Sequence, residues 1–278
     1  MFGLSGNSPF DLRWRMFGIP VGIKMSFWFF CLFFGLPYLL LRRWDLFAIW
    51  VGCTLFSFLF KELGHVLFGR IFGVRGGIVL YAFGGSPVGD YESMRRWQRI
   101  VFHAAGPAFS FSLWAVAVVC HNQSDLLVQL GRAEIPVRYV LLRLIQLNWF
   151  WGIIHLLPIY PLDGGKIVRE LCEAVSPRFG LIFSLLISLA CAGGLAAWAA
   201  YAYWKPAEWP FGDPIFSLIF DTMMAVQNLF MLVQALRERR PTSASEHDDG
   251  HEQPARQQKD YEDYRPFDGG RPEDTERR

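Results

Sequence analysis

Six long apolar stretches constrain the fold of this chain more than any other feature. They cover residues 25–41, 46–68, 100–120, 139–157, 179–203 and 214–236. An α-helix needs roughly 20 apolar residues to cross the hydrocarbon core of a bilayer, and each stretch is close to that length or longer. Only 19% of the 278 residues are charged, whereas soluble domains carry about 25%. The sequence therefore predicts an all-α polytopic membrane protein with about six transmembrane helices, and it excludes an ordinary soluble enzyme.

The basic residues are distributed unevenly between the loops that join these stretches. With the N-terminus inside, fourteen Arg and Lys residues fall on the cytoplasmic side and five on the opposite side. Cytoplasmic loops of membrane proteins carry an excess of Lys and Arg, so we expect a multi-pass protein of the cell membrane with both termini in the cytoplasm. The basic clusters flank apolar runs, which suits a lipid bilayer as partner and not nucleic acid.

Two segments depart from the helical pattern. Residues 71–90 combine β-branched and aromatic residues with glycine pairs, which predicts a small membrane-associated β-ribbon. Residues 241–278 hold eleven acidic and six basic residues without periodicity, which predicts a disordered tail. The predicted organisation is a cytoplasmic N-terminal segment (1–24), a core of four spans (25–175), two additional spans (176–240) and a disordered cytoplasmic tail (241–278).

Ionisable side chains are costly inside a bilayer and are therefore candidates for function. Lys61, Glu62 and His65 lie near the end of the second stretch, where spacings of three and four residues bring side chains to one face of a helix. His155 and Asp163 lie near the end of the fourth stretch. Taken alone, Asp163 is more typical of a helix N-cap than of a metal ligand. The span count gives these groups one membrane depth, which favours a shared site.

Other ionisable residues have weaker cases. His103, in the third stretch, is more typical of a packed histidine than of a ligand. Arg143 is expected to reach the interface or to pair within the bundle, and Asp221 has no assigned role. We assign none of the remaining histidines to the site: His121, His247 and His251.

Several ordered motifs resemble one known family. Glu-Leu-Gly-His occupies residues 62–65, Phe-Gly-Val-Arg residues 72–75, and Leu-Leu-Pro-Ile-Tyr-Pro-Leu-Asp-Gly-Gly residues 156–165. With these spacings the sequence resembles the site-2 protease family of intramembrane zinc metalloproteases. The resemblance runs from about Arg15 to Leu171. It also includes Phe-Gly-Ile-Pro-Val at 17–21, Phe-Gly-Gly at 83–85 and Ala-Gly-Pro at 105–107.

The resemblance implies a hydrolase that cleaves membrane-anchored proteins inside the bilayer with one zinc ion. In that family the motif HExxH supplies two histidine ligands and a glutamate that activates the zinc-bound water, and a later aspartate is the third ligand. Carried over to this sequence, the resemblance makes Glu62 the catalytic base and makes His65 and Asp163 metal ligands. Three protein ligands leave the fourth zinc position open for water, whose pKa falls to about 7.

The sequence departs from the family pattern at two positions of the predicted site, and in a minor way at Ala-Phe-Ser (108–110), where relatives often have an asparagine. Lys61 stands where HExxH has its first histidine, and an ammonium group has no lone pair below its ordinary pKa of about 10.4. His155 stands where the family has an asparagine. Because both changes fall in one small site, the positions of the two side chains decide whether zinc binding is lost or a ligand is replaced.

Two interpretations stay open, and a third is disfavoured. In the first, a metal-free pseudoprotease, the charge of Lys61 replaces the zinc beside Glu62 and Asp163, and the protein binds membrane-protein clients without cleaving them. In the second, His155 is a replacement ligand, so that His65, His155 and Asp163 hold the zinc ion. A small transporter is disfavoured because the sequence lacks the paired halves typical of many transporters.

Overall fold

The helices and strands follow one another along most of the chain. The computed structural model describes residues 11–82, 84–123, 134–205 and 214–237. The strands in these ranges are β1 (Leu12–Met16), β2 (Ile19–Ile23), β3 (Gly77–Tyr81) and β4 (Gly84–Val88). The α-helices are α1 (Met25–Leu40), α2 (Trp44–Ile71), α3 (Arg96–Asn122), α4 (Glu134–Leu156), α5 (Asp163–Val175), α6 (Gly180–Trp204) and α7 (Pro214–Arg237). The predicted tail, with His247 and His251, lies outside the described residues.

The six apolar stretches all fall in helices, in α1 to α4, α6 and α7. Within the described residues, α2, α3, α6 and the Ser217–Arg237 part of α7 are long and apolar enough to cross a membrane. Helix α1 is apolar but has only 16 residues, and α4 carries charged residues in its first half. The predicted all-helical membrane fold is therefore confirmed, with four helices that meet the length and hydropathy of a span.

The predicted ribbon is an antiparallel hairpin of β3 and β4, in which Gly77 pairs with Val88 and Tyr81 with Gly84. It belongs to a larger sheet that the sequence analysis did not predict. The strand order is β1-β2-β3-β4, with β1 antiparallel to β2 and β2 parallel to β3. Phe17 and Gly18 join β1 to β2 with φ angles of 51° and 72°, as a two-residue hairpin turn of type I′ requires.

The hydrophobic core lies between this sheet and the first helices. Strands β2 and β3 are almost fully buried, and side chains of α1, α2 and α4 pack against them. Helix α2 also contacts β4 and α3, while α5 contacts α3, α4 and α6. The second half of α2, the end of α4 and the start of α5 therefore meet beneath the β3–β4 hairpin, and this is where the candidate site lies.

Candidate active site

The centre of the site is a lysine held between two carboxylates. Lys61 and Glu62 are neighbours in α2, and both side chains are buried, with relative exposures of 3% and 0%. The Lys61 ammonium donates a hydrogen bond to Glu62 Oε1 at 2.8 Å and lies 3.3 Å from Asp163 Oδ2. A buried charge is costly unless it is paired. The ammonium thus compensates two carboxylates that would otherwise be alone in the interior.

Asp163 is the first residue of α5, and it does not cap that helix. The N-cap is Leu162, which makes no side-chain cap hydrogen bond, whereas the Asp163 carboxylate turns into the site. Its Oδ2 accepts a hydrogen bond from His155 Nδ1 at 2.9 Å. Burial alone would raise the pKa of Asp163, but the Lys61 ammonium and the neighbouring imidazoles hold it well below its ordinary range. Asp163 is therefore a charged partner of Lys61.

The glycine pair after Asp163 allows α5 to begin directly against the preceding loop. A Cβ atom at Gly164 would collide with the Leu156 and Leu157 carbonyls. One at Gly165 would collide with the backbone of Ile159 and Tyr160. Residues without a side chain are needed where two backbones approach this closely. The Leu-Asp-Gly-Gly sequence thus fixes the distance between the loop and Asp163.

His65 contacts the site through one ring nitrogen only. Its Nδ1 donates a hydrogen bond to the Phe102 carbonyl at 2.7 Å, and a carbonyl oxygen can only accept. Its Nε2 is buried, makes no hydrogen bond, and lies 3.4 Å from Asp163 Oδ1. A Cβ atom at Gly106 of α3 would collide with this ring. Gly106 in the Ala-Gly-Pro motif therefore makes room for His65.

All five residues predicted for the site lie together: Lys61, Glu62, His65, His155 and Asp163. The roles that the resemblance implies for them, as base or as metal ligands, stay predictions. His155 is 6% exposed, and its ring lies beside Gly84 of β4. A Cβ atom at Gly85, the next residue, would collide with the Glu62 side chain. Strand β4 thus lies directly over the charged cluster.

Two further residues lie at the site, and the sequence analysis did not place them there. His103 Nδ1 makes no hydrogen bond and lies 4.0 Å from Asp163 Oδ1. Burial and then the nearby Glu62 carboxylate raise the pKa of Tyr81, the last residue of β3, to about 12. His103 shares the membrane depth of Glu62 and His65, a signal that could have identified it. Nothing in the local sequence marks Tyr81, whose position depends on the register of the sheet.

The other ionisable groups lie in different surroundings. The Arg143 guanidinium packs over the rings of Tyr139 and Tyr38, 4.8 Å and 5.6 Å from their centroids, and donates to Gln146 Oε1. This agrees with the expectation that Arg143 pairs within the bundle. Asp221 is buried in α7 with 6% exposure. Neither residue has a contact with Lys61 or Asp163 in the described structure.

The arrangement defines an intramembrane-protease type of fold, and the comparisons with known proteins identify the family. The profile of Peptidase family M50 matches residues 45–191, more than half of the chain. The chain therefore belongs to Peptidase family M50. Its structure is similar to that of the site-2 protease from Methanocaldococcus jannaschii, with a TM-score of 0.50, 20% identity, and coverage of 86% of this chain and 100% of that one. The resemblance to site-2 proteases is confirmed.

Two relatives of similar sequence are named as zinc metalloproteases. A zinc metalloprotease of Methanocaldococcus jannaschii is 26% identical over 176 residues, which are 63% of this chain and 48% of that protein. A putative zinc metalloprotease of Synechocystis sp. is 30% identical over 111 residues, 40% of this chain and 27% of that protein. The chain thus matches less than half the length of these two relatives.

With Lys61 in its present position, the donor set of the site does not fit a zinc ion. Zinc takes lone-pair donors at about 2.0–2.3 Å. Lys61 stands at the sequence position of the missing histidine ligand but offers no lone pair. Its ammonium lies 3.3 Å from Asp163 Oδ2. His155 Nδ1 is occupied by its hydrogen bond to the same oxygen. Among the described residues, no group of three or more His, Cys, Asp and Glu side chains is arranged to hold a metal ion.

Proposed function

We propose that this member of Peptidase family M50 is a metal-free pseudoprotease of the membrane, which binds segments of membrane-anchored proteins without hydrolysing them. The observation that carries the proposal is the position of the Lys61 ammonium between Glu62 and Asp163, 2.8 Å and 3.3 Å from their oxygens. One positive charge replaces the charge that a metal ion supplies in an active relative. The site keeps its shape and loses its hydrolytic chemistry.

Lys61 also pairs with the carboxylate that hydrolysis would need as a base. A general base must accept a proton from water in the reacting position. The Oε1 atom of Glu62 accepts a hydrogen bond from the Lys61 ammonium, its Oε2 is buried without a hydrogen-bond partner, and the side chain is covered by Gly85 of β4. Glu62 therefore acts as a counter-ion in this proposal. In this proposal Glu62 no longer serves as the catalytic base of the family and instead neutralises the buried charge of Lys61.

The client segment is proposed to bind at the edge of β4. In the described part of the sheet β4 pairs with β3 alone, so its other edge is open. An extended peptide can add to such an edge through main-chain hydrogen bonds. Because Gly84 and Gly85 contact His155 and Glu62, a strand added to β4 would pass over the charged cluster. Pro87, which lacks an N–H group, is tolerated in an edge strand.

A zinc-dependent intramembrane endopeptidase is the second candidate, and one observation favours it. His65 Nε2 is buried without a hydrogen-bond partner, 3.4 Å from Asp163 Oδ1. If Lys61 withdrew, His65, His155 and Asp163 would surround the space it leaves. This candidate predicts that the wild-type protein binds zinc and needs His155 for it, whereas the pseudoprotease predicts that the wild-type site binds no zinc.

Metal analysis of the purified protein separates the two candidates. We expect far less than one zinc per chain in the wild-type protein. Lys61→His should bind about one zinc per chain, because it restores the family's three ligands. Lys61→His/Asp163→Asn is the matched control and should lose the metal. About one zinc per chain in the wild type that disappears in His155→Ala would contradict the pseudoprotease and support the endopeptidase.

Client binding needs a separate measurement. A photo-crosslinking amino acid at Ser86 on β4 should capture a co-reconstituted single-span membrane protein, and the adduct should have the mass of the intact client. The same amino acid at Val119, an exposed position of α3, is the control and should capture mainly lipid. A shortened client in the Ser86 adduct would contradict the loss of hydrolysis. Equal capture at both positions would contradict binding at β4.

A further inference from the structure

We infer that Asn228 and Ser188, on the last two helices, are positioning residues for the loop that carries Asp163. This gives α6 and α7 a role at the candidate site, and it is independent of whether the site binds zinc or a client. The family profile ends at residue 191, so Asn228 lies beyond the matched segment. The inference rests on hydrogen bonds to the backbone N–H and C=O groups of one loop residue, Tyr160.

Both backbone polar groups of Tyr160 are bound by side chains of these helices. Asn228 Nδ2 donates to the Tyr160 carbonyl at 2.6 Å and to the Met224 carbonyl at 2.8 Å. The Tyr160 N–H donates to Ser188 Oγ at 3.1 Å, and that hydroxyl donates to the Ser184 carbonyl at 2.9 Å. Asn228 and Ser188 are buried, with exposures of 0% and 1%. Breaking either contact would leave a buried polar group unpaired.

The loop transmits the position of Tyr160 to Asp163. Only Pro161 and Leu162 separate the two residues, and the Leu162 N–H donates to the Ile159 carbonyl at 2.8 Å. Gly165, in the first turn of α5, lies so close to the Tyr160 backbone nitrogen that a Cβ atom would collide with it. A shift of the Tyr160 peptide must therefore move the start of α5. Asp163 would then move relative to Lys61.

Asn148 provides a matched control within the same chain. Like Asn228 it is buried in a helix, with 1% exposure, and its Nδ2 donates to the carbonyl four residues earlier, Leu144, at 2.8 Å. Its second acceptor is Ser57 Oγ of α2, at 2.9 Å. Asn148 thus joins two helices in the way that Asn228 joins α7 to the loop, but it does not contact Tyr160.

Hydrogen exchange of the full-length protein in detergent, followed by mass spectrometry, tests the local part of the inference. Asn228→Leu should accelerate exchange in residues 156–166 about tenfold, and Ser188→Ala should accelerate it less. Asn148→Leu should leave this segment unchanged. A role in helix packing alone would accelerate exchange around residues 224–228 and leave residues 156–166 unchanged, which would overturn the inference. Ser188→Ala carries the test by itself if Asn228→Leu does not fold.

Coupling to Asp163 tests the second part, that Asn228 acts on the site through the loop. Asn228→Leu should lower the melting temperature by several degrees in the wild type and by less in an Asp163→Asn background, because the pairing with Lys61 is already weakened there. The inference requires both the faster exchange in residues 156–166 and the smaller shift in melting temperature in the Asp163→Asn background. Additive shifts in melting temperature would show that Asn228 holds the loop without positioning Asp163, and would overturn it.

Discussion

Helix α5 is held to the rest of the protein by two groups of ion pairs that differ in burial. At its first residue, Asp163 faces Lys61, and these side chains are 7% and 4% exposed. Two turns later, Glu170 accepts two hydrogen bonds from the Arg99 guanidinium of α3, at 2.6 Å and 2.8 Å, and these side chains are 12% and 25% exposed. Both groups attach the same helix, but the second is the more exposed of the two.

The difference in burial separates a costly ion cluster from an ordinary attachment between helices. A partly exposed bidentate pair keeps much of its solvation, so water can solvate the remaining charge when one partner is lost. Arg99 also donates to the Glu92 and Met94 carbonyls, so it ties the segment before α3 to α5. Apolar residues of similar volume could replace a buried ion cluster at little cost in stability. Stability alone therefore does not account for the charged residues of the Lys61 cluster, which agrees with the proposed pseudoprotease site.

The largest expected effect is that of Lys61→Met. This substitution leaves Glu62 and Asp163 buried without a positive partner, so it should lower the free energy of unfolding by about 3–5 kcal/mol. The measurement is thermal unfolding in detergent. The matched control is Lys61→Met/Glu62→Gln/Asp163→Asn, which should recover most of the loss because no uncompensated charge remains. A wild-type melting temperature for Lys61→Met would show that the cluster is not electrostatically linked.

Gly106→Ala should have the next largest effect, because the added methyl group would collide with the His65 ring. Overpacking of this kind costs about 1–3 kcal/mol. Gly52→Ala on α2, where a Cβ atom meets nothing within 4 Å, is the control and should be neutral or slightly stabilising. The melting temperatures of the two variants give the comparison. If both behave alike, the packing around His65 is looser than the described contacts imply.

Arg99→Ala should destabilise the protein by about 1 kcal/mol, since water can solvate Glu170 after the guanidinium is removed. Raising the salt concentration should reduce the difference between this variant and the wild type. Unfolding at low and high salt measures both effects. An effect as large as that of Lys61→Met would erase the contrast between the two groups of ion pairs on α5.

The smallest effect is expected for Arg43→Ala. Arg43 and Asp45 form a salt bridge at 2.8 Å, but the two side chains are 52% and 59% exposed. Exposed pairs of this kind often contribute nothing measurable. The melting temperature should match that of the wild type, and it serves as the baseline for the other three variants. A clear loss would mean that this pair has a partner outside the described residues.

Several parts of the structure could be predicted because their signals are local. Residues 71–90 show strand-type composition between glycine pairs, and they form the β3–β4 hairpin. Lys61, Glu62 and His65 lie within one turn of a helix, and their meeting with His155 and Asp163 followed from equal membrane depth. The β1–β2 hairpin was missed although Trp14 and Met16 alternate with arginines and pack against the core. Its five-residue strands are too short to be distinctive beside long apolar helices.

Other features depend on distant parts of the chain. The contact of Asn228 with the Tyr160 carbonyl joins residues 68 positions apart, and no spacing rule relates them. Tyr81 reaches the site because β3 pairs with β2 and β4 in a particular register. From the sequence, Lys61 could either pair with the two carboxylates or point away while His155 replaced the lost ligand. The choice stayed open because a sequence does not show the direction of a side chain.

The parallel pairing of β2 with β3 has a consequence for biogenesis. Val21 pairs with Ile78 and Ile23 with Leu80, and the Lys24 N–H donates to the Leu80 carbonyl at 2.9 Å. Helices α1 and α2 lie between these strands in the chain. The two strands can therefore meet only after the chain has been synthesised through α1 and α2. The sheet whose β4 strand lies over the charged cluster is therefore complete only when the ribosome has made β3 and β4, more than fifty residues after β2.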